Sequence, residues 1–285
     1  INLTYHSNSN KLKCHYCGYE EKIVTKCPEC GSEQIRYFGM GTQKLEFEIN
    51  KLFPSASTIR MDIDTVSKKN SHEQILEKFK NENIDILIGT QMVVKGHHFP
   101  NVTLVGVIAA DGSLNIDDFR ANERTFQILT QVAGRAGRGE DKGRVIIQTY
   151  NPDNFSIECA KKQDYDLFYN TEIALRKQLK YPPFCDIIVI GFTSDNEKTV
   201  QNTAEKVHQY LKQRVITENW GIILYKALPA PIDRIKNKFR WRILIKCIFS
   251  EDIIRLMNDM LEVYYNGRFK DTRISIDLNP TNMMK

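Results

Sequence analysis

Two arginines spaced three residues apart are the side chains of this sequence best suited to phosphate chemistry. Arg135 and Arg138 stand in the run QVAGRAGRG, residues 131–139, and each follows a glycine. The helical pattern ends at this run, and side chains at i and i+3 share one helix face. A guanidinium is a rigid fork of donors that matches phosphate oxygens. The run is typical of an arginine finger in nucleotide hydrolysis, although a helix cap with solvated arginines is the simpler alternative.

Four of the seven cysteines form two Cys-x-x-Cys pairs, the spacing of zinc ligands. The pairs are Cys14/Cys17 and Cys27/Cys30, and a glycine follows each of them. In a reducing compartment such pairs bind zinc as thiolates rather than forming disulfides. The remaining cysteines stand alone in the sequence and are predicted to be core residues.

Two polar segments follow apolar strands between residues 38 and 150. Thr90 and Gln91 follow the first, where a hydroxyl and backbone amides can bind a phosphate. Lys95 and Gly96 begin a loop that a ligand or a DNA strand could approach, and Asp111 follows the next strand. Each segment alone also fits a plain α/β turn.

The elements that must position these residues alternate between helix and strand. Strands are predicted over residues 58–62, 85–90, 102–109 and 145–148, with helical spacing at 45–52 and 71–79. Mostly apolar strands alternating with helices predict a parallel, doubly wound α/β lobe, which binds ligands beyond the carboxyl ends of its strands.

The last third has a different pattern. Residues 153–179 are helical in spacing, and the Tyr-Pro-Pro-Phe segment at 181–184 ends that helix. A βαββαβ order follows, which predicts an α+β ferredoxin-like domain. A strand is predicted at 239–249, and side chains alternate faces in a strand. If the segment 236–243 is extended in this way, Lys236, Lys238, Arg240 and Arg242 are expected to line one basic face. Such a face can follow a phosphate backbone, or it can be a solvated edge that discourages sheet pairing.

Composition sets the outer limits. The chain has 285 residues, 41% of them hydrophobic and 26% charged, and a formal net charge of +5. This charge permits a nucleic-acid partner without requiring one. The longest mostly apolar run, 102–110, is too short to cross a bilayer, and no signal peptide is recognisable. The chain opens without methionine, so we expect a fragment of a longer cytoplasmic protein.

Several motifs together carry a family resemblance over nearly the whole chain. The QxxGRxGR string resembles motif VI of superfamily 2 helicases. The segment GTQMVVKGHHFPNV at 89–102 resembles motif V of the bacterial replication-restart helicase family PriA (primosomal protein N-prime). His98 stands where most superfamily 2 proteins carry an acidic residue. Further matches are the Asp-Gly at 111–112, DFRANER at 118–124, YPPF at 181–184 and the cysteine pairs before GMGT at 39–42.

The resemblance implies roles for individual residues. It implies a second RecA-like helicase lobe in which Arg135 and Arg138 contact ATP phosphates and Gln131 couples nucleotide state to DNA. Gly96 would lie near the nucleotide and Thr90 near the DNA backbone, with Gln91 and Lys95 beside it. The implied boundaries are a zinc segment at 1–37, the lobe at 38–150, a helical connector at 151–182 and a DNA-binding domain at 183–285.

Half of an ATPase site is missing from the sequence. It contains neither a Gly-x-x-x-x-Gly-Lys-Ser/Thr loop nor a DExH tetrapeptide, so the groups that hold ATP and Mg²⁺ would belong to a preceding first lobe. We therefore expect no ATP hydrolysis from this chain alone. The family's eight cysteines bind two zinc ions in a nested pattern, which implies that the two pairs here serve different metals. In this chain they could instead share one zinc.

The resulting prediction is part of an ATP-dependent 3′-to-5′ primosomal DNA helicase that restarts replication at stalled forks. By resemblance its partners are branched and single-stranded DNA, primosome proteins and single-stranded DNA-binding protein, without a membrane. A non-catalytic zinc and nucleic-acid binding module is one alternative. Another superfamily 2 DNA translocase is a second.

Overall fold

The structure, a computed structural model, describes residues 4–6, 11–14, 17–33, 41–62, 71–90, 99, 101–134, 143–218, 220–267 and 271–283. The chain divides into two compact units. The lobe unit comprises Ser32–Leu114 and Asn122–Phe168, and the C-terminal unit comprises Ile1–Gly31, Asn115–Ala121 and Tyr169–Lys285. None of the described helices combines the length and the apolar character needed to span a membrane.

The helices and strands follow one another along the chain with short connections. In order they are β1 (Thr4–His6), β2 (Lys11–Lys13), β3 (Glu20–Lys22), α1 (Thr42–Leu52), β4 (Thr58–Met61), α2 (Ser71–Asn81), β5 (Ile86–Gly89), β6 (Leu104–Val107), α3 (Asp111–Leu114), α4 (Ala121–Ala133), β7 (Arg144–Ile147), α5 (Phe155–Lys162), α6 (Tyr165–Gln178), β8 (Asp186–Ser194), α7 (Glu197–Glu218), β9 (Ile223–Leu224), β10 (Leu228–Ile235), β11 (Lys238–Cys247), α8 (Glu251–Asn266) and β12 (Arg273–Leu278).

The lobe unit has parallel strands, as the alternation of helix and strand predicts. β4 pairs with β5 and β6 pairs with β7, both in parallel. Among the described residues these four strands form two separate pairs. The lobe is thus a mixed α/β unit with parallel pairing, and a single doubly wound sheet stays a prediction.

Stacked aromatic rings form part of a hydrophobic core in the lobe unit. Phe126 of α4 stacks on Phe168 of α6, with ring centroids 4.1 Å apart and planes 8° apart. Ile157 and Ala160 of α5 are buried in the same cluster. Gln163 adopts a left-handed conformation (φ 56°) and ends α5, so the helix predicted over 153–179 is two helices. The short α5 and the first turn of α6 therefore cover α4.

The C-terminal unit is built on an antiparallel sheet with the strand order β10-β11-β8-β12, and β9 also pairs with β11. Two helices cover one face because each has an apolar stripe. On α8 the buried positions recur at three- and four-residue intervals; they are Ile253, Leu256, Met257, Met260 and Tyr264. With α7 and the alternate residues of β8 and β11, they form the larger hydrophobic core.

The predicted βαββαβ order is present, with one strand more than the pattern indicated. β10 and β9 lie on the same side of β11, and a hairpin turn joins β10 to β11. Lys236 and Asn237 form that turn, both with positive φ (49° and 62°). Asparagine tolerates this conformation well, which explains the turn at this point. Lys236 therefore lies in the turn and not in the strand where the alternation placed it.

Candidate nucleotide and DNA sites

The arginine run, residues 131–139, begins in the last turn of helix α4. The helix is anchored by Phe126, Leu129 and Val132, which are buried, and the amide of Gly134 donates to the carbonyl of Thr130 at 3.1 Å. Gln131 lies in the last turn with an exposed side chain. Arg135 and Arg138 lie outside the described residues. The structure thus confirms that the run begins at a helix end, and the contacts of the arginines stay a prediction.

The carboxyl end of β5 carries the first polar segment. Thr90 follows β5 directly and is exposed. Gln91, Lys95 and Gly96 lie outside the described residues. Of the four predicted ligand-binding residues in this segment, the structure therefore describes Thr90, which is accessible directly after the parallel strand β5.

Asp111 has a structural task that the sequence pattern did not reveal. Its carboxylate accepts from Oγ1 of Thr149 at 2.8 Å and from the amide of Tyr150 at 2.9 Å. These contacts join the segment after β6 to the segment after β7. Asp111 is buried, so it holds the strand ends of the lobe together rather than facing a ligand.

The basic strand β11 has the predicted alternation over part of its length. Phe239, Trp241 and Ile243 pack in the larger core, and Lys238 is exposed on the other face, with its Nζ 3.8 Å from a carboxylate oxygen of Asp195. Arg240 is half-buried and donates through Nη1 to the carbonyl of Ile232 at 3.1 Å. Two of the predicted cations therefore reach solvent on the face away from α7 and α8.

Arg242 corrects the prediction of a continuous basic face. It retains 2% exposure, and its Nη1 donates to the carbonyl of Met283. Met283 is itself 1% exposed, so the C-terminal segment covers this part of the face. A side chain held this way does not reach a phosphate backbone. The alternation placed Arg242 on the correct face, but a distant part of the chain buries that face beyond Arg240.

The cysteine pairs form tight turns. The amide of Gly18 donates to the carbonyl of Cys14 at 2.9 Å, and the amide of Gly31 donates to the carbonyl of Cys27 at 2.8 Å. Both glycines have positive φ, +76° and +69°, which favours glycine at these positions. A Cβ on Gly18 would also lie 3.0 Å from Cδ2 of Leu228, so the first turn packs closely against β10.

The second turn is prepared to hold a thiolate. Backbone hydrogen bonds from Cys30 and Glu29, followed by a bond with the Cys30 thiol, lower the pKa of the Cys27 thiol. Cys14 and Cys27 are half-buried, whereas Cys17 and Cys30 are exposed. Within the described ranges, no three or more Cys, His, Asp or Glu side chains come together as a metal site. Each pair offers two sulfur atoms as possible ligands.

Several residues that the sequence did not single out surround the exposed cations. Thr193 of β8 lies in register with Arg240 of β11 on one side and with Arg273 of β12 on the other. Arg273 and Ser275 are exposed. The sequence carries no short-range signal for this grouping, because the three strands are far apart along the chain.

Three family models match the chain in consecutive order. The PriA DNA helicase Cys-rich region matches residues 1–22, the helicase conserved C-terminal domain matches 28–140, and the primosomal protein N C-terminal domain matches 177–281. The replication restart protein PriA of Bacillus subtilis is 46% identical over all 285 residues. The chain belongs to the PriA family. The resemblance read from motifs V and VI is confirmed.

Other PriA proteins are also similar to most of the chain. The replication restart protein PriA of Synechocystis is 40% identical over 86% of the chain, and that of Haemophilus influenzae is 37% identical over 85%. The chain spans about a third of these proteins: 35% of the Bacillus subtilis PriA, 30% of the Synechocystis PriA and 33% of the Haemophilus influenzae PriA. A designed protein, Foldit4, aligns with 34% of the chain at 12% identity and a TM-score of 0.26.

Proposed function

We propose that this chain supplies the second motor lobe and the C-terminal DNA-binding domain of an ATP-dependent DNA helicase that restarts replication at stalled forks. The observation that carries the proposal is the order of the three family matches, cysteine-rich region, helicase domain and primosomal domain, along one chain. The helicase would translocate 3′ to 5′, as the family resemblance implies. The parallel strands of the lobe unit and the accessible residue after β5 support a nucleotide- and DNA-handling lobe.

For ATP, the chain would contribute the arginine half of the site. Arg135 and Arg138 would contact the β and γ phosphates, Gly96 would allow close approach, and Gln131 would couple nucleotide state to DNA. ATP with Mg²⁺, held by a first lobe, supplies the phosphoryl group that is transferred to water. Arginine donors stabilise the charge that develops on the phosphoryl oxygens. The exposed position of Gln131 at the end of α4 supports this assignment.

The ATPase test compares two variants of the longer protein in which this chain follows a first motor lobe. We expect R135A to lower DNA-stimulated ATP hydrolysis by about 10³-fold or more. R144Q removes an exposed arginine of β7 in the same lobe and is expected to leave hydrolysis unchanged. Full hydrolysis by R135A would contradict the role assigned to Arg135, whereas a lack of hydrolysis by the unaltered longer protein would favour the non-catalytic module. The 285-residue chain alone is expected to show no ATP hydrolysis.

For DNA, two groups of residues would act. Thr90, Gln91 and Lys95 would hold the backbone of the translocating strand at the lobe. Lys238 and Arg240 would contact phosphates at the C-terminal domain, where both lie on the face away from α7 and α8. Fluorescence anisotropy of the purified chain with labelled forked DNA tests this, since a lack of binding at low salt contradicts it.

For zinc, the donor chemistry of the two pairs fits the metal. Cys14, Cys17, Cys27 and Cys30 offer thiolates in glycine-containing turns, and the lowered pKa of Cys27 suits a metal-bound thiolate. Zinc would supply structural cross-links and no catalytic step. The family resemblance implies the nested arrangement, in which each pair serves a different ion. A zinc-to-protein ratio near one in the purified chain would instead show that the pairs share a metal.

Residues 183–285 would form the C-terminal α+β DNA-binding domain. The order β12-β8-β11-β9, entirely antiparallel, supports a ferredoxin-like split-βαβ fold for residues 183–285. The zinc segment at 1–37, a RecA-like lobe at 38–150 and a helical connector at 151–182 are proposed with it. Primosome proteins and single-stranded DNA-binding protein are proposed as partners, in the bacterial cytoplasm.

A further inference from the structure

A shallow depression lined by polar residues lies on the face of the C-terminal sheet opposite α7 and α8. It has a volume of about 380 Å³ and is lined by Thr193, Lys238, Arg273 and Ser275. The neighbouring residues Phe192, Phe239 and Ile274 point the other way, into the larger core. The depression is therefore formed by the solvent-facing side chains of three adjacent strands.

Strand register places the cations at the two sides of this depression. Arg240, Thr193 and Arg273 are direct partners across β11, β8 and β12. Since neighbouring strands lie about 4.8 Å apart, the backbones at the two arginines are roughly 10 Å apart. Lys238 is two residues from Arg240 on the same face. Arg240 donates to the carbonyl of Ile232 on β10, so its side chain extends toward the β10 side, while Lys238 and Arg273 line the depression itself.

A glycine allows the Ser275 hydroxyl to lie close to the sheet. Gly191 pairs with Ser275, and a Cβ at Gly191 would lie 2.7 Å from the Ser275 hydroxyl oxygen. Any other residue at Gly191 would force Ser275 to shift. The absence of a side chain there leaves room for the hydroxyl of Ser275, which lies 3.5 Å from the Gly191 carbonyl oxygen. Ser275 and Thr193 thus both offer hydroxyls to the depression.

Among the described residues, the charged side chains on and around this surface are three cations and two carboxylates, a net charge of +1. Lys238, Arg240 and Arg273 contribute three cations, and the exposed carboxylate of Asp195 offsets part of the charge of Lys238 at 3.8 Å. Asp277 lies further along β12 on the same face, two residues past Ser275. Two arginines, a lysine and two hydroxyls are the donors with which proteins contact phosphate oxygens without reading base sequence.

We propose that this depression binds the phosphate backbone of single-stranded DNA, with Arg273, Thr193 and Ser275 as contact residues in addition to Lys238 and Arg240. The inference rests on the proposed DNA-binding function and locates one binding surface for it. An acidic peptide is the other class of anion to consider. All four lining residues are polar, which suits a phosphodiester better than a peptide, whose apolar side chains need pockets.

The test measures how binding depends on salt. Fluorescence anisotropy of the full chain with a fluorescein-labelled single strand is followed between about 50 and 200 mM salt. The variant K238Q/R273Q is expected to bind about tenfold more weakly at low salt. The slope of log K against log salt is expected to fall by about 1.4, since each lost contact to a single strand contributes about 0.7.

Two control variants distinguish binding at this depression from a general effect of the chain's net charge. K198Q/K212Q removes two exposed lysines of α7 on the opposite side of the sheet and is expected to leave the slope unchanged. R273K keeps the cation and is expected to keep the slope. Thermal unfolding of each variant checks that the fold is retained, which is expected because the substituted lysines and Arg273 are exposed.

Three results would overturn the inference. An unchanged slope in K238Q/R273Q, with normal binding by the unaltered chain, excludes this surface and leaves the proposed function standing. A lack of DNA binding by the unaltered chain contradicts both. Loss of binding to a fluorescein-labelled glutamate-rich peptide, with an unchanged DNA slope, would assign the depression to a peptide instead.

Discussion

Phe119 stacks on Tyr181, with ring centroids 5.0 Å apart and planes 7° apart. Phe119 is part of the segment Asn115–Ala121, which follows α3 and ends at the first residue of α4. This segment belongs to the C-terminal unit, although its neighbours in sequence belong to the lobe unit. The guanidinium groups of Arg120 and Arg176 lie 4.6 and 5.1 Å from the Phe119 ring centroid. Nζ of Lys246 lies 3.5 Å from the centroid of the Tyr181 ring. Cations thus flank both stacked rings.

The aromatic pair is expected to contribute more than the separate burial of its two rings. In a double-mutant cycle with F119L and Y181L, we expect a coupling energy of about 0.5–1.5 kcal/mol, measured by urea unfolding. Leucine keeps apolar volume while removing the stacking. F119L combined with F126L, whose ring packs in the lobe core, provides the additive control. Additivity of F119L and Y181L would contradict a specific interaction between the rings.

Arg240 and Arg242 are expected to respond oppositely to substitution, although they share a face of β11. R242A removes a buried donor and leaves the Met283 carbonyl without that bond, so we expect a loss of about 1–3 kcal/mol in unfolding free energy. R240Q is expected to change stability by less than about 0.5 kcal/mol. It should weaken DNA binding, whereas folded R242A should keep the salt dependence of the unaltered chain. Urea unfolding and salt-dependent anisotropy measure the two effects, and a weaker salt slope in folded R242A would contradict the assignment.

Cys247 is expected to make the C-terminal unit less stable at alkaline pH. Burial raises the pKa of its thiol from 9.0 to about 11. Below pH 9.0 the thiol is protonated in both states and its contribution is fully present. As the pH rises toward 11, the unfolded state loses the proton first, so stability falls by about 1–3 kcal/mol. Urea unfolding between these pH values measures the loss.

The variant C247A isolates this contribution from the other groups that titrate at high pH. The burial-raised pKa values of Tyr181 and Tyr225 give both proteins an alkaline decline. The decline should be smaller in C247A by the amount due to the thiol. Parallel stability curves for the two proteins would show that Cys247 titrates alike in both states.

The cysteines are expected to differ in reactivity toward iodoacetamide at neutral pH in the metal-free chain. The lowered pKa of Cys27 increases its thiolate fraction, so it should be alkylated rapidly. Cys159, Cys185 and Cys247 are buried and have raised pKa values, so they should stay unmodified until the chain unfolds. Mass spectrometry of peptides after timed quenching measures the order. Early labelling of Cys247 would contradict its burial, and added zinc should slow labelling of Cys27.

Local patterns predicted most of the elements because helix and strand periodicity depends on nearby residues. The strands of the lobe, the helix end at Gly134 and the glycines after the cysteine pairs followed from spacing and turn chemistry. The strand β10 was missed because it contains two prolines, Pro229 and Pro231, which argue against a central strand. It lies at the edge of the sheet, where proline is tolerated.

The sequence by itself determined the family, the alternation of β11 and the chemistry of the arginine run and the cysteine pairs, since motifs and periodicity are properties of neighbouring residues. Only the tertiary structure decided which cations stay accessible. The segment around Met283 covers Arg242, and strand register aligns Arg273 with Arg240 across the sheet, with Thr193 between them. Burial and register arise from contacts between residues far apart in the chain, which no local pattern records.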